Sequence, residues 1–150
     1  FNAEIIAQPS GNLGERINAI DAQTRASGHS HTLHIASDAP ILDLRYFARA
    51  RAALQRFDIV LGPAADGGVT IMGARVPWPT LAELPWSTEH LGEALEQVCR
   101  QDGHSVVKLE ERYDIDHTHD LLRLYRDLAG DQRGEPALSL FVARVEVEHD

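Results

Sequence analysis

Short apolar runs ending in Gly, Asp or Pro alternate along this chain with longer stretches of helical period, and that alternation restricts the fold more than any other feature. Apolar runs appear at Glu4–Ala7, His31–Ala36, Asp58–Leu61, Val69–Met72 and Ser105–Leu109. Between them, Leu13, Ile17 and Ile20 recur at helical spacing up to Gly28. Asp43 precedes a stretch whose apolar positions Leu44, Phe47, Ala48 and Leu54 are expected to face a core. Leu91, Ala94, Leu95 and Val98 form one stripe behind the hydroxyls of Ser87 and Thr88, expected to cap that helix. Asp120 to Leu128 reads as a last helix, closing at Gly130, with Thr118 as its cap. Strands alternating with helices in this way predict a three-layer α/β domain, read here as a single domain over residues 1–150, with a mostly parallel sheet. Leu138–Val147 reads as a further strand, at an edge or pairing with a partner.

In such sheets ligands collect at the carboxyl ends of the strands. Four polar segments directly follow predicted strands: Gln8–Gly14, Ser37-Asp38-Ala39-Pro40, Asp66-Gly67-Gly68 and Tyr113-Asp114-Ile115-Asp116-His117-Thr118. The glycine pair after Asp66 can take positive φ and leaves the backbone bare to a ligand, although an ordinary strand-to-strand turn has the same composition. Asp38 suits either a hard cation or a helix cap. Asp114 and Asp116 are two apart, so in an extended segment they share a face and can hold a cation together. Trp86, ahead of a helix, can wall a pocket, with Ser87, Thr88 and the helix-end amides facing an anion.

Composition narrows the ligand. The 150 residues are 43% hydrophobic, enough for a real core, and no window has the length of a membrane span. Fourteen basic against 23 acidic residues give a net charge of −9, which argues against nucleic acid and requires a cation wherever phosphate is bound. The single cysteine, Cys99, excludes an internal disulfide framework and favours a cytoplasmic setting. His29, His31, His34, His104, His117 and His119 lack the companions of a zinc site, and neither a nucleophile elbow nor a Walker A loop is present.

Five segments in order carry a resemblance: Gln8-x-x-Gly11-Asn12-Leu13-Gly14-Glu15-Arg16, Ile35-Ala-Ser-Asp38-Ala-Pro40, Leu61-Gly-Pro-Ala-Ala-Asp66-Gly67-Gly68, Leu84-Pro-Trp86-Ser87-Thr88 and Tyr113-Asp-Ile-Asp116-x-Thr-x-Asp120. From about Gln8 to Leu124 the chain resembles GT-A-type glycosyltransferases related to arsenosugar biosynthesis enzymes. More distantly, it is similar to guanylyltransferases of the nucleotide-diphospho-sugar transferase superfamily. The resemblance implies a metal-dependent glycosyl- or nucleotidyltransferase that uses Mg²⁺ or Mn²⁺, a nucleotide or nucleotide-sugar and a small-molecule acceptor. It implies that Asp38 and Asp116 are the catalytic, metal-binding carboxylates, that Gln8, Gly11, Asn12, Leu13, Gly14 and Arg16 meet the nucleotide, and that Asp66, Gly67, Gly68, Trp86, Ser87 and Thr88 meet the sugar or acceptor.

The chain departs from that pattern at Ala36, Val69, His117 and His119. It also lacks the opening strand and basic glycine loop that grip pyrophosphate in the family, a β-α unit on the order of 30 residues. The expectation is a chain incomplete at its N-terminus. The alternative is a non-catalytic nucleotide- or sugar-binding module, dimerising through Leu138–Val147.

Overall fold

The structure, a computed structural model, describes residues 5–128. Along the chain it runs α1 (Leu13–Ala26), β1 (Thr32–Ile35), α2 (Leu44–Ala53), β2 (Ile59–Pro63), β3 (Val69–Ala74), α3 (Leu91–Gln101), β4 (Val106–Lys108) and α4 (Thr118–Asp127). The expected strand Leu138–Val147 lies outside the described residues. Of the expected strand Glu4–Ala7, the described part, Ile5–Ala7, has no regular structure, and Ile5 is exposed.

The four strands form one sheet in the order β1-β3-β2-β4. The sheet is mixed, which corrects the mostly parallel arrangement expected from sequence. β3 runs antiparallel to both β1 and β2, whereas β2 and β4 are parallel. The cause is chain length. Only residues 64–68 separate β2 from β3, and a parallel pair needs a crossover of roughly a dozen residues or more. β1, β2 and β4 nevertheless point the same way, so their carboxyl ends share one edge.

Helices cover both faces. Along β2, Ile59 and Leu61 join Met72 and Ala74 of β3 in a core closed by Ile17 of α1 and by Leu95 and Cys99 of α3. Val60 points to the other face, against Ala50 and Leu54, while Ile71 meets Tyr46. The period of two in the strands thus feeds two separate helical layers. In α2 the buried residues are Tyr46 and Ala50, with Leu54 buried at its C-cap; Leu44 and Ala48, expected inward, face solvent. Asp43 caps this helix as expected, its carboxylate accepting from the Tyr46 amide at 2.7 Å. That start places Tyr46 over the sheet and turns Leu44 outward.

Two polar knots fix the layers. Asp21 in α1 is 2% exposed and accepts from Thr32 Oγ1 at 2.6 Å and from Arg25 Nε at 2.7 Å. Arg25 in turn donates to the Val76 carbonyl at 2.6 Å, tying α1 to the chain just after β3. At the same end of the sheet, where Ala74 pairs with both Thr32 and Ile59, Asp58 accepts from Ser105 N–H at 2.9 Å and Ser105 O–H at 2.6 Å, and pairs with Arg75 at 2.9 Å. Among the described residues no helix is long and apolar enough to cross a membrane.

Candidate active site

Backbone pairing beyond the strand ends builds the site. The Ala65 amide donates to Arg112 O at 2.8 Å and the Arg112 amide donates to Pro63 O at 2.9 Å, so the β2–β4 pairing continues into the loops and sets Asp66 beside Asp114. The Ile115 amide donates to Asp38 O at 2.9 Å, which brings the β1 loop alongside. Tyr46 O–H, inside the α2 layer, donates to Glu110 O at 2.7 Å and holds the same segment from below. Asp120, in the first turn of α4, accepts from the amides of His117 at 2.8 Å and Asp116 at 3.2 Å. α4 begins at Thr118 with His117 as its cap, one residue before the expected Thr118 cap, and Asp120 reaches back to the amide of the cap residue.

The result is an open cavity of about 790 Å³ on the α1/α3 side of the sheet edge. Asp66, Asp114 and Asp116 each offer a carboxylate oxygen there, all within 4.8 Å of one another. Two oxygens on opposite sides of one hard cation are separated by about 4–5 Å, so the trio fits the reach of a single Mg²⁺ or Mn²⁺. Asp38 lines the same cavity but does not come within that distance of all three. Burial first, and then the charges of Asp66, Asp116 and Asp38, push the Asp114 carboxyl above its ordinary pKa, against an opposing backbone hydrogen bond. Five acids (Asp38, Asp66, Glu89, Asp114 and Asp116) and neither Lys nor Arg line this cavity among the described residues.

Of the other residues predicted for the site, Gln8, Leu13, Gly68, Trp86, Ser87 and Thr88 line the cavity. Gly11, Asn12, Gly14, Arg16 and Gly67 are not among its lining residues. Asn12 caps α1, accepting from Glu15 N at 3.0 Å, and donates to Ala82 O at 2.9 Å. Gly14 packs so closely that a Cβ would strike Leu81 O, and Arg16 donates to Gln8 Oε1 at 3.2 Å. Gly67 has φ 90, and its carbonyl accepts from Gly92 N at 2.9 Å.

That last bond corrects the expectation of free amides at the start of α3. The Leu91 amide donates to Thr88 O at 3.2 Å, the Gly92 amide to Gly67 O, and the His90 amide to Thr88 Oγ1 at 3.3 Å. The helix begins at Leu91 behind His90, so Ser87 and Thr88 belong to the turn before it rather than to its cap. Trp86 Nε1 donates to Leu81 O at 2.9 Å, leaving the ring to wall the cavity. Ser87 is the one non-glycine residue with positive φ among those described, at 62. Among the described residues no histidine joins the acidic trio; His117 and His119 stack on each other with centroids 5.4 Å apart. Reasoning from sequence put Asp114 with Asp116 but chose Asp38 for the metal pair. It passed over His34 and Glu89, which also line the cavity.

Fold and site together define an α/β domain of GT-A-like architecture with an acidic cavity at the sheet edge. Residues 2–88 match the family DUF2064, described as "uncharacterized protein conserved in bacteria", and the chain belongs to that family. None of the curated proteins matches it. Among solved structures it is similar to a protein from Desulfovibrio desulfuricans G20 that bears the name "putative nucleotide-diphospho-sugar transferase", with a TM-score of 0.81 and 22% identity. The match takes in 93% of this chain and 62% of that one, so the chain spans less than two thirds of that protein's length.

Proposed function

We propose that this chain binds a nucleotide or nucleotide-sugar through a divalent cation and serves as a metal-dependent glycosyl- or nucleotidyltransferase acting on a small-molecule acceptor in the cytoplasm. The observation that carries the proposal is the acidic wall of the cavity: three carboxylates within 4.8 Å of one another, and no Lys or Arg among its described lining residues. A phosphate placed there meets only repulsion unless a cation intervenes. Asp114 and Asp116 would hold the ion, with Asp66 on its third side and Asp38 contributing charge or a water-mediated contact. When bound, Mg²⁺ or Mn²⁺ supplies Lewis acidity and charge neutralisation to a departing phosphate group.

The chain's own residues contribute position and shape. Burial first, and then the charges of Asp66, Asp116 and Asp38, raise the Asp114 pKa, and the gathering of carboxylates at this point favours a divalent ion over a monovalent one. Trp86 offers an apolar face beside the acids, suited to a sugar ring. The similar fold of the Desulfovibrio protein supports the same class, and the narrower kinship with arsenosugar-related glycosyltransferases is part of this proposal.

The test is a thermal-shift and calorimetric screen of UDP-, GDP- and CDP-linked ligands with Mn²⁺ or Mg²⁺. A metal-dependent rise in melting temperature is expected in the wild type and lost in Asp114→Ala and Asp116→Ala. A flat response to every nucleotide with either metal would sink the proposal. Binding without turnover of any acceptor would favour the non-catalytic module.

A further inference from the structure

His34 is a polar side chain of the cavity wall whose Nε2 finds no partner among the described residues. It occupies the third position of β1, opposite Met72 in the ladder, and lines the cavity together with Gln8, Leu13 and Ile17. Its Nε2 is shielded from water and has no hydrogen-bond partner among the described residues. Thr32, two residues earlier on the same face, has its bond to Asp21. Burial, ahead of the raising effect of Asp21 and the lowering effect of Arg25, holds the His34 pKa below its ordinary value, so the ring is neutral at pH 7.

An unpaired polar atom in a protein interior is worse than an apolar side chain of similar size. Folding alone would therefore be better served by Leu at this position. The acid end is near. Four residue steps lead from His34 to Asp38, a chain of at most about 14 Å, so one small ligand can meet both. A neutral imidazole carries one donor and one acceptor, and a hydroxyl, which is both, complements either tautomer. The soft Cβ–Cγ torsion allows the ring to turn Nε2 toward the cavity.

We propose that His34 is a specificity-determining contact for the hydroxyl-bearing end of the ligand, a ribose or sugar, while the phosphates lie at the Asp114/Asp116 end. The proposal rests on the nucleotide reading above.

The experiment measures affinities by calorimetry in Mn²⁺ for wild type, His34→Leu and His34→Gln. The probes are inorganic pyrophosphate, UDP, GDP and the 2′,3′-dideoxy forms of both nucleotides. His34→Leu is expected to weaken UDP or GDP at least about tenfold while leaving pyrophosphate within about twofold. His34→Gln, which keeps a donor and an acceptor, is expected to retain most of the affinity. Removing the ribose hydroxyls should weaken binding to wild type but not to His34→Leu. The free His34→Leu protein should melt higher than wild type, a readout that a merely structural histidine would move the other way.

Equal nucleotide affinity in His34→Leu, an equal loss for pyrophosphate, or a lower melting temperature would overturn the contact while leaving the metal-nucleotide reading intact. A wild type that binds pyrophosphate but neither nucleotide removes the nucleoside from the site, and His34 with it. A wild type that binds none of the probes overturns both proposals.

Discussion

Gly67 shows how a single backbone conformation holds this site together. Its φ of 90 belongs to the region that side chains avoid, its carbonyl accepts from Gly92 at the start of α3, and a Cβ on it would run into Glu89 O. Gly28 has a similar φ of 95, but no described residue lies within 4 Å of a Cβ there. The pair separates the cost of backbone strain from the cost of collision. Gly28→Ala should cost about 1 kcal/mol, the left-handed penalty alone. Gly67→Ala should cost at least about 2 kcal/mol and also weaken Mn²⁺ binding, because the hairpin tip carrying Asp66 must move off α3. Urea melts of both variants check this; equal losses would show that the close approach to Glu89 has no energetic weight. The sequence already displayed Asp66-Gly67-Gly68 as a turn, and the ordinary strand-to-strand turn was one of its two readings. What it could not display is that the glycine serves contact with α3, since that contact joins residues more than twenty positions apart.

Elements were legible to the extent that their signals are local. α1 ends before Gly28 and α2 begins after Asp43, where glycine and capping chemistry predict, while the sequence reading, which gives Asn12 to the nucleotide, misses its cap on α1. Of the inward face expected for α2, Phe47 and Leu54 pack on the core, whereas Leu44 and Ala48 face solvent because Leu44 lies in the first turn and Tyr46 takes the inward position, reaching across to Glu110. The reversal of β3 was also available in principle, from the five residues that separate it from β2. The strand ends are joined by Asp58, whose bonds with Ser105, followed by those with Arg75, hold its carboxyl well below the usual range, at about 2. A depressed pKa gives stability that is present above the unfolded value and lost as pH falls through the folded one. Asp58 therefore contributes fully at neutral pH, and its share disappears between about pH 4 and pH 2. Asp58→Asn should lower stability at pH 7 and show a shallower decline across that acid window, followed by denaturant melts at each pH. A variant whose acid limb parallels the wild type would mean that Asp58 is not what joins β2, β3 and β4.

At the scale of the whole molecule, the mixed sheet and the function it is proposed to serve are linked through strand direction. Because β1, β2 and β4 run the same way despite the reversed β3, the loops after them all open on one edge, and the carboxylates of a −9 chain gather there. The sequence made that edge visible as four polar loops behind predicted strands. It could not rank Asp38 against Asp66 and Asp114 for closeness to Asp116, because the ranking depends on pairing between Ala65 and Arg112 across the two loops. Such a gathering opposes folding whenever no cation is bound. The Asp114 carboxyl, raised by burial and then by its acidic neighbours, has the sign opposite to Asp58: its favourable contribution is present at low pH and lost as pH rises through its folded pKa. Replacing it with Asn should therefore stabilise the metal-free protein at pH 7, by roughly 2–4 °C if the gain is about 1 kcal/mol. The gain should vanish in acid, where wild-type Asp114 is protonated. The same substitution should weaken Mn²⁺ binding at least about tenfold, since a metal ligand of full charge is lost. Melting curves at pH 7 and pH 3 in chelator, set beside an Mn²⁺ titration, measure both sides of this exchange. An Asp114→Asn protein that is less stable without metal, or equally avid for it, would mean that the acids are a solvated surface and not a site.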